Sequence, residues 1–179
     1  PPVQTQDFVM TAGAAPAAAS EATPQSGVKY GDVLELPHGL EGFFDLDEAK
    51  AYAEKVDKPL FLDFTGHGCV NCREMEARVW SDPRVLDILR NEYVIVALYA
   101  DDKLKVAEED WVTTDSGKVL KTLGKINSYY ALKTYGVNAQ PYYVLIDREG
   151  NTMADRSYDL DVDGFISFLQ SGVETYKSK

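Results

Sequence analysis

The sequence predicts an α/β domain in which a mixed central sheet is flanked by helices, and three observations predict it. An apolar run at Leu60–Phe64 leads through a glycine turn into helical spacing at Cys69–Glu76. A second apolar run, Tyr93–Tyr99, is nearly all β-branched and aromatic, as expected of a central strand that is covered on both sides. A third, Tyr142–Asp147, turns through a glycine into Thr152–Ser157 and predicts a hairpin.

The predicted helices are bounded by residues typical of helix ends. Asp45 begins a first helix, with Glu48 completing a capping box, and Ser81-Asp82-Pro83 ends one helix and begins another. The strand, the helical segment and the next strand then form a βαβ unit, whose crossover is expected to be right-handed.

Residues 101–126 are the least regular part of the chain and predict a long insertion, which in a compact domain is usually functional or disordered. A helix is predicted over Ser128–Tyr135, ended by Gly136 at a left-handed cap position. Asp161 is expected to cap the last helix.

The chain of 179 residues is long enough for one domain with a substantial core, which is predicted over residues 28–179. Residues 1–27, rich in Ala, Pro, Ser and Thr, predict a linker or tail. A net charge of −11 argues against binding nucleic acid or an anionic membrane surface. There is neither a membrane-span pattern nor a signal-peptide pattern, so we expect a mature product or the excised soluble part of a longer protein.

The chain has two cysteines, Cys69 and Cys72, at the start of a predicted helix. This spacing sets both sulfurs on one face of the first turn, where unpaired N–H groups and the helix dipole favour a thiolate on Cys69. A disulfide across so short a loop removes little entropy from the unfolded chain, so its expected value is chemical. Cys69 is the predicted nucleophile and Cys72 the predicted resolving thiol.

Half of a zinc site has the same Cys-x-x-Cys spacing. The only histidines are His38 and His67, and a four-ligand site would need carboxylates or a second subunit. The strand before the pair and the helix after it favour the redox interpretation, with no metal and no cofactor. His38 is predicted to be an ordinary loop residue and His67 an exposed turn residue.

Two further features accompany the cysteine pair. Asp63 lies inside the first apolar run, where an unpaired charge costs stability, so a raised pKa and a functional role are expected. Gln140-Pro141 directly precedes the third apolar run, and an X-Pro bond is where a cis peptide can occur.

With these residues assembled, the chain resembles a thioredoxin-fold domain, and more narrowly the C-terminal periplasmic domain of the DsbD family of thiol:disulfide interchange proteins. The resemblance rests on Asp63-Phe64-Thr65, Cys69–Glu76, Ser81-Asp82-Pro83 and Gln140-Pro141, and it covers roughly Phe43–Gly172. The family usually has tryptophan directly before the first cysteine, where this chain has Gly68.

The resemblance implies roles for particular residues. Asp63 and Glu76 are expected to lie near the cysteines and to modulate their proton affinity, because negative charge disfavours a nearby thiolate. Pro141 is expected to be cis and to sit against the cysteines, with the backbone of the preceding residue pairing with an extended partner segment. A partner is thus expected to bind across Gly68, Val70, Asn71, Gln140 and Pro141.

Three classes of function stay open at this point. The favoured one is a periplasmic relay domain that takes electrons from a membrane-embedded dithiol reductase and passes them to oxidised thiol proteins, tethered to the inner membrane through a segment outside this chain. The second is a free-standing periplasmic reductase or isomerase acting directly on misbonded or cytochrome-maturation substrates. The third is a metal-binding or protein-binding module that uses the same cysteine pair.

Overall fold

The computed structural model describes residues 27–179, so the linker predicted for residues 1–27 lies outside the described residues except for Gly27. The main sheet has four strands in the order β2-β1-β5-β6, where β1 is Leu60–Thr65, β2 is Val94–Tyr99, β5 is Tyr142–Ile146 and β6 is Thr152–Arg156. β1 and β2 are parallel and the other pairs antiparallel, which confirms the predicted mixed sheet. Two short strands, β3 (Val112–Thr113) and β4 (Val119–Leu120), form a separate hairpin.

The helices are α1 (Leu46–Val56), α2 (Val70–Met75), α3 (Pro83–Glu92), α4 (Leu123–Tyr135) and α5 (Val162–Lys177). A π turn over Glu76–Trp80 continues α2. Within residues 27–179, no helix combines the length and the apolar character needed to cross a membrane.

Several predicted helix ends are confirmed. The carboxyl of Asp45 accepts the N–H of Glu48 at 3.0 Å, and the carboxyl of Asp82 accepts the N–H of Arg84 at 2.9 Å. Gly136 ends α4 in the left-handed region at φ 71°, as a residue without a Cβ does easily.

Four predictions differ from the structure. β2 is an edge strand of the four-stranded ladder, and Phe43 covers its outer side through a parallel bridge to Val96. α4 begins at Leu123, so the irregular insertion ends near residue 122. The carboxyl of Asp161 makes no capping hydrogen bond. The capping box at α1 is only half formed, because Glu48 instead accepts the N–H of Lys29 at 3.1 Å.

The two faces of β1 carry different neighbours because successive side chains on a strand alternate. Phe64 contacts the rings of Tyr130 and Tyr135 on α4. Phe61 contacts Trp80 in the π turn and Phe165 on α5. Asp63 shares the parity of Phe61 and therefore lies on the face covered by the helix that carries the cysteines.

Candidate functional site

The cysteine pair lies where the connection from β1 enters α2, at the carboxyl end of the central strand. Cys69 and Cys72 form a disulfide with Cα atoms 5.2 Å apart. Cys69 is the N-cap residue of α2, and its Sγ accepts the N–H of Cys72 at 3.1 Å. Cys72 is buried, whereas Cys69 is half-exposed. A partner thiol or disulfide therefore reaches Cys69 first, and the same N–H can stabilise a thiolate on that sulfur.

The turn before Cys69 is held by an aspartate from the start of the insertion. Asp101 accepts the N–H of His67 at 2.8 Å and the N–H of Gly68 at 2.9 Å, one on each carboxylate oxygen. Partial burial alone would raise the pKa of Asp101, but these two donors and the nearby His67 ring hold it below its ordinary value. A Cβ on Gly66 would stand 3.2 Å from this carboxylate, a tight contact that would press on Asp101.

The ring of His67 is also engaged from the same side. Its Nε2 lies 2.6 Å from Oδ2 of Asp102, and the ring stacks on Tyr99 with centroids 4.3 Å apart. The His67 side chain is 50% exposed, so the predicted exposure is confirmed while the pairing with Asp102 is additional. The nearest signal in the sequence was the Asp-Asp pair that opens the long connection.

Asp63 is a buried acid under the helix that carries the cysteine pair, with 2% of its surface exposed. Burial is the largest cause that raises its pKa well above the ordinary 3.8, the charge of Glu76 raises it further, and Arg73 opposes both. The expected raised pKa is therefore present in the structure.

Glu76 lies one helical turn beyond Cys72 on the same face of the helix. Burial raises its pKa, while the charges of Arg73 and His38 act in the opposite direction. Arg73 lies 3.1 Å from the Glu76 carboxylate and also donates to Thr65 Oγ1 at 2.8 Å and to the Gly66 carbonyl at 3.1 Å. The arginine thus joins the end of β1 to the second acid.

His38 contacts this group of residues, although an ordinary loop position was predicted for it. Its Nε2 lies 2.7 Å from the carbonyl oxygen of Glu76, so this nitrogen carries the donated proton. The residue adopts φ 58°, which is unusual for a side chain with a Cβ. No local pattern could have found the contact, because 38 residues separate the two partners.

The residues predicted to bind a partner lie at the same end of the sheet. Val70 is 77% exposed, and Gly68 and Asn71 are exposed as well. The Gln140-Pro141 bond is cis. The pairing of Phe64 with Tyr142 places Pro141 level with Thr65, at the carboxyl end of β1.

Comparison with known proteins identifies a family that the chain matches. A model of the thioredoxin-like domain covers residues 46–158. This chain belongs to the thioredoxin-like family. The solved structure of DsbH oxidoreductase has a TM-score of 0.56 at 19% identity and covers 79% of this chain and 91% of that one. Thioredoxin from Thermus thermophilus has a TM-score of 0.52 at 19% identity and covers 72% of this chain and 84% of that one. At these identities the structural matches support the fold alone.

Among known proteins, the thiol:disulfide interchange protein DsbD of Ralstonia nicotianae is 26% identical over 136 residues. The match covers 75% of this thioredoxin-like chain and 19% of the length of that relative. The resemblance to DsbD expected from the motifs is thus confirmed as a similarity of this domain.

The thioredoxin-like family match and the Cys69–Cys72 disulfide support thiol–disulfide oxidoreductase chemistry for this domain. Oxidoreductases of this fold work through the cysteine pair itself. Within residues 27–179, no group of three or more His, Cys, Asp or Glu side chains is arranged to hold a metal ion.

Proposed function

We propose that this chain is a periplasmic relay domain, which receives electrons from a membrane-embedded dithiol reductase and passes them to oxidised thiol proteins as a protein-disulfide reductase. The observation that carries the proposal is the half-exposed Cys69 above the buried Cys72, set at a helix start in a domain similar to DsbD. The periplasmic location and the tether to the inner membrane follow from that similarity and belong to the proposal.

The reaction requires only the two sulfurs. In the reduced protein the Cys69 thiolate attacks a partner disulfide, one partner sulfur leaves as a thiolate that takes up a proton, and a mixed disulfide forms. Cys72 then loses its proton and attacks the Cys69 sulfur, which releases the second partner thiolate. Two electrons have moved to the partner, and the protein returns to the disulfide present in the structure.

The resolving step needs a place for the proton of Cys72, and we assign this role to the buried acids. Asp63 has a pKa raised well above 3.8 by burial, which brings it nearer to the working pH of a general base. Burial also raises the pKa of Glu76. This acid is less deeply buried than Asp63 and lies beside the exposed Arg73. A proton passed from Cys72 to these carboxyls therefore has a route toward solvent.

Partner binding is proposed across Gly68, Val70, Asn71, Gln140 and Pro141. The exposed side chain of Val70 offers apolar contact beside Cys69, and the backbone before Pro141 offers pairing to an extended segment of the partner. Because both the reductase and the client would use this one surface, they would bind in turn.

The test is to trap partners with Cys72→Ser in a membrane-containing extract and to identify the disulfide adducts. Without Cys72 the mixed disulfide is not resolved, so adducts accumulate. The matched control is Cys69→Ser/Cys72→Ser, which has no thiol and should yield none. We expect a membrane-embedded reductase together with soluble clients.

The same experiment addresses the other two functions. Recovery of soluble clients without a membrane reductase would replace the relay by a free-standing reductase or isomerase. The absence of any adduct, together with metal retained by the reduced wild-type protein, would replace both by a binding module.

A further inference from the structure

The turn that precedes the nucleophile is fixed from outside by one side chain. The carboxylate of Asp101 takes the N–H groups of His67 and Gly68, at 2.8 Å and 2.9 Å, which are the last two turn N–H groups before Cys69. Because each oxygen receives one donor, rotation of the turn in either direction breaks a charge-assisted hydrogen bond. The held residues thus end at Gly68, directly before Cys69, which carries the reacting sulfur.

Asp101 is itself held by the start of α4. The Nδ2 of Asn127 donates to the carbonyl of Tyr99 at 3.0 Å, and the hydroxyl of Ser128 donates to the carbonyl of Ala100 at 2.9 Å. On the other side of Asp101, the N–H of Gly124 donates to the carbonyl of Asp102 at 2.8 Å. Hydrogen bonds from one helix thus fix the backbone on both sides of the aspartate, which is how a supporting shell keeps a functional group in place.

We propose that Asp101 is a positioning residue for thiol–disulfide exchange, which keeps Cys69 next to Cys72 when the disulfide is open. In the oxidised protein the S–S bond joins the two sulfurs, and the Cys72 N–H also donates to the Cys69 sulfur. In the reduced protein this constraint is gone, and the grip on the turn maintains the adjacency on which the resolving attack depends. The first residues of the insertion thereby act on the redox centre.

Two physical effects of removing this carboxylate change the redox equilibrium in the same direction. Loosening the turn lowers the effective concentration of one thiol at the other, which destabilises the disulfide. Removing a negative charge beside the turn stabilises the Cys69 thiolate and hence the reduced form. Asp101→Asn is therefore expected to make the pair less reducing. The amide can accept from one N–H, but its NH₂ group cannot accept from the other.

The experiment equilibrates wild type, Asp101→Asn and Asp102→Asn with glutathione buffers and measures the fraction of each protein in the disulfide form. Asp102→Asn is the matched control: it removes the same charge from the adjacent residue, together with the contact to the His67 ring, and it leaves the two backbone hydrogen bonds to Asp101 in place. We expect Asp101→Asn to favour the dithiol about tenfold more than wild type, which corresponds to a potential about 30 mV less negative. The potential of Asp102→Asn is expected to differ much less from that of wild type.

A second readout separates positioning from charge. The lifetime of the mixed disulfide between Cys69 and glutathione should lengthen in Asp101→Asn, and it should stay long at high salt, which screens a charge effect but not a geometric one. Equal shifts in the two variants, or an Asp101→Asn potential equal to that of wild type, would overturn the positioning role.

This inference rests on the proposed function, and the two can fail separately. If the wild-type cysteine pair exchanges no electrons with glutathione, the proposed oxidoreductase chemistry itself is wrong. If wild type exchanges normally and only the predicted difference between the variants is absent, the positioning role alone is wrong.

Discussion

The two ends of the central strand β1 carry acidic residues in opposite electrostatic situations. At the amino end, Asp57 accepts the hydroxyl of Tyr176 at 2.7 Å and the guanidinium of Arg148 at 3.0 Å. The Tyr176 hydrogen bond and then the Arg148 hydrogen bond lower the pKa of Asp57. At the carboxyl end, burial raises the pKa of Asp63 and of Glu76.

The amino end borders a groove of about 320 Å³, lined by residues of both charges that include Lys50, Asp57 and Arg148. There the exposed Asp57 has two donors and solvent, so its charge costs the fold little. At the carboxyl end Asp63 and Glu76 are buried, which costs stability when they are charged, and acids perturbed in this way cluster at functional sites. The end of the strand where burial raises the pKa of two acids is thus the end with the cysteine pair.

The largest expected effect separates the two ends by activity. Cys69→Ser should abolish disulfide reduction, because no other thiolate is exposed to begin the exchange. Asp57→Asn, at the opposite end of β1, should leave the rate unchanged. Turnover of a small disulfide substrate by the two purified variants measures this contrast. Residual turnover by Cys69→Ser would mean that Cys72 can act as the nucleophile.

Glycine substitutions should distinguish the two ends by stability. A Cβ on Gly124 would stand 2.7 Å from backbone atoms of Asp102, so Gly124→Ala is expected to cost about 1–3 kcal/mol of unfolding free energy. Gly150, in the hairpin at the amino end of β1, has φ 86° and open space around its Cβ position. Gly150→Ala should therefore cost about 1 kcal/mol, from backbone conformation alone. Urea denaturation gives both values, and equal losses would remove the distinction.

The pH dependence of stability should have opposite signs at the two ends. The folded-state pKa of Asp63 is raised, so its contribution is fully present below its ordinary 3.8 and is lost as the pH rises through the folded value. Asp63→Asn keeps a neutral group and should escape that loss. Urea denaturation of the oxidised proteins from about pH 4 upward should show the variant gaining on wild type. A constant difference across this range would mean that the Asp63 carboxyl binds as many protons in the folded protein as in the unfolded chain, so that folding does not raise its pKa.

The smallest effect is expected at Asp57. Its folded-state pKa is lowered, so its contribution is present above its ordinary 3.8 and is lost as the pH falls through the folded value. Asp57→Asn should slightly lower the melting temperature at neutral pH, and the difference should vanish in acid. Asparagine suits the test because it tolerates the left-handed conformation of this residue, at φ 56°. A difference that persists in acid would point to lost packing.

Local patterns predicted the elements that local forces decide. The apolar run of β1, the caps at Asp45 and Asp82 and the glycine end of α4 were all visible in short windows. The edge position of β2 was not visible in the sequence. Both faces of β2 are buried, as in a central strand, and Phe43 covers its outer edge. A continuous apolar run reports that both faces of a strand are covered, but not which strands pair with it.

The site was predictable to the same extent. Cys69, Cys72 and Asp63 lie within one strand–turn–helix unit, so their spacing revealed them. Asp101 reaches the turn from more than 30 residues away, at the start of a connection whose sequence predicts no regular structure. The hydrogen bonds that give this connection its function join backbone N–H groups to a carboxylate, and they leave no apolar pattern behind.

The π turn after α2 begins at a residue that is held from outside the helix. Short π segments inside α-helices are frequently found at functional sites, and here the carbonyl oxygen of Glu76, the first residue of the segment, accepts a hydrogen bond from the ring of His38. A change at position 38 that removes this donor would therefore reach the helix that carries Cys72 and Glu76 without altering either side chain.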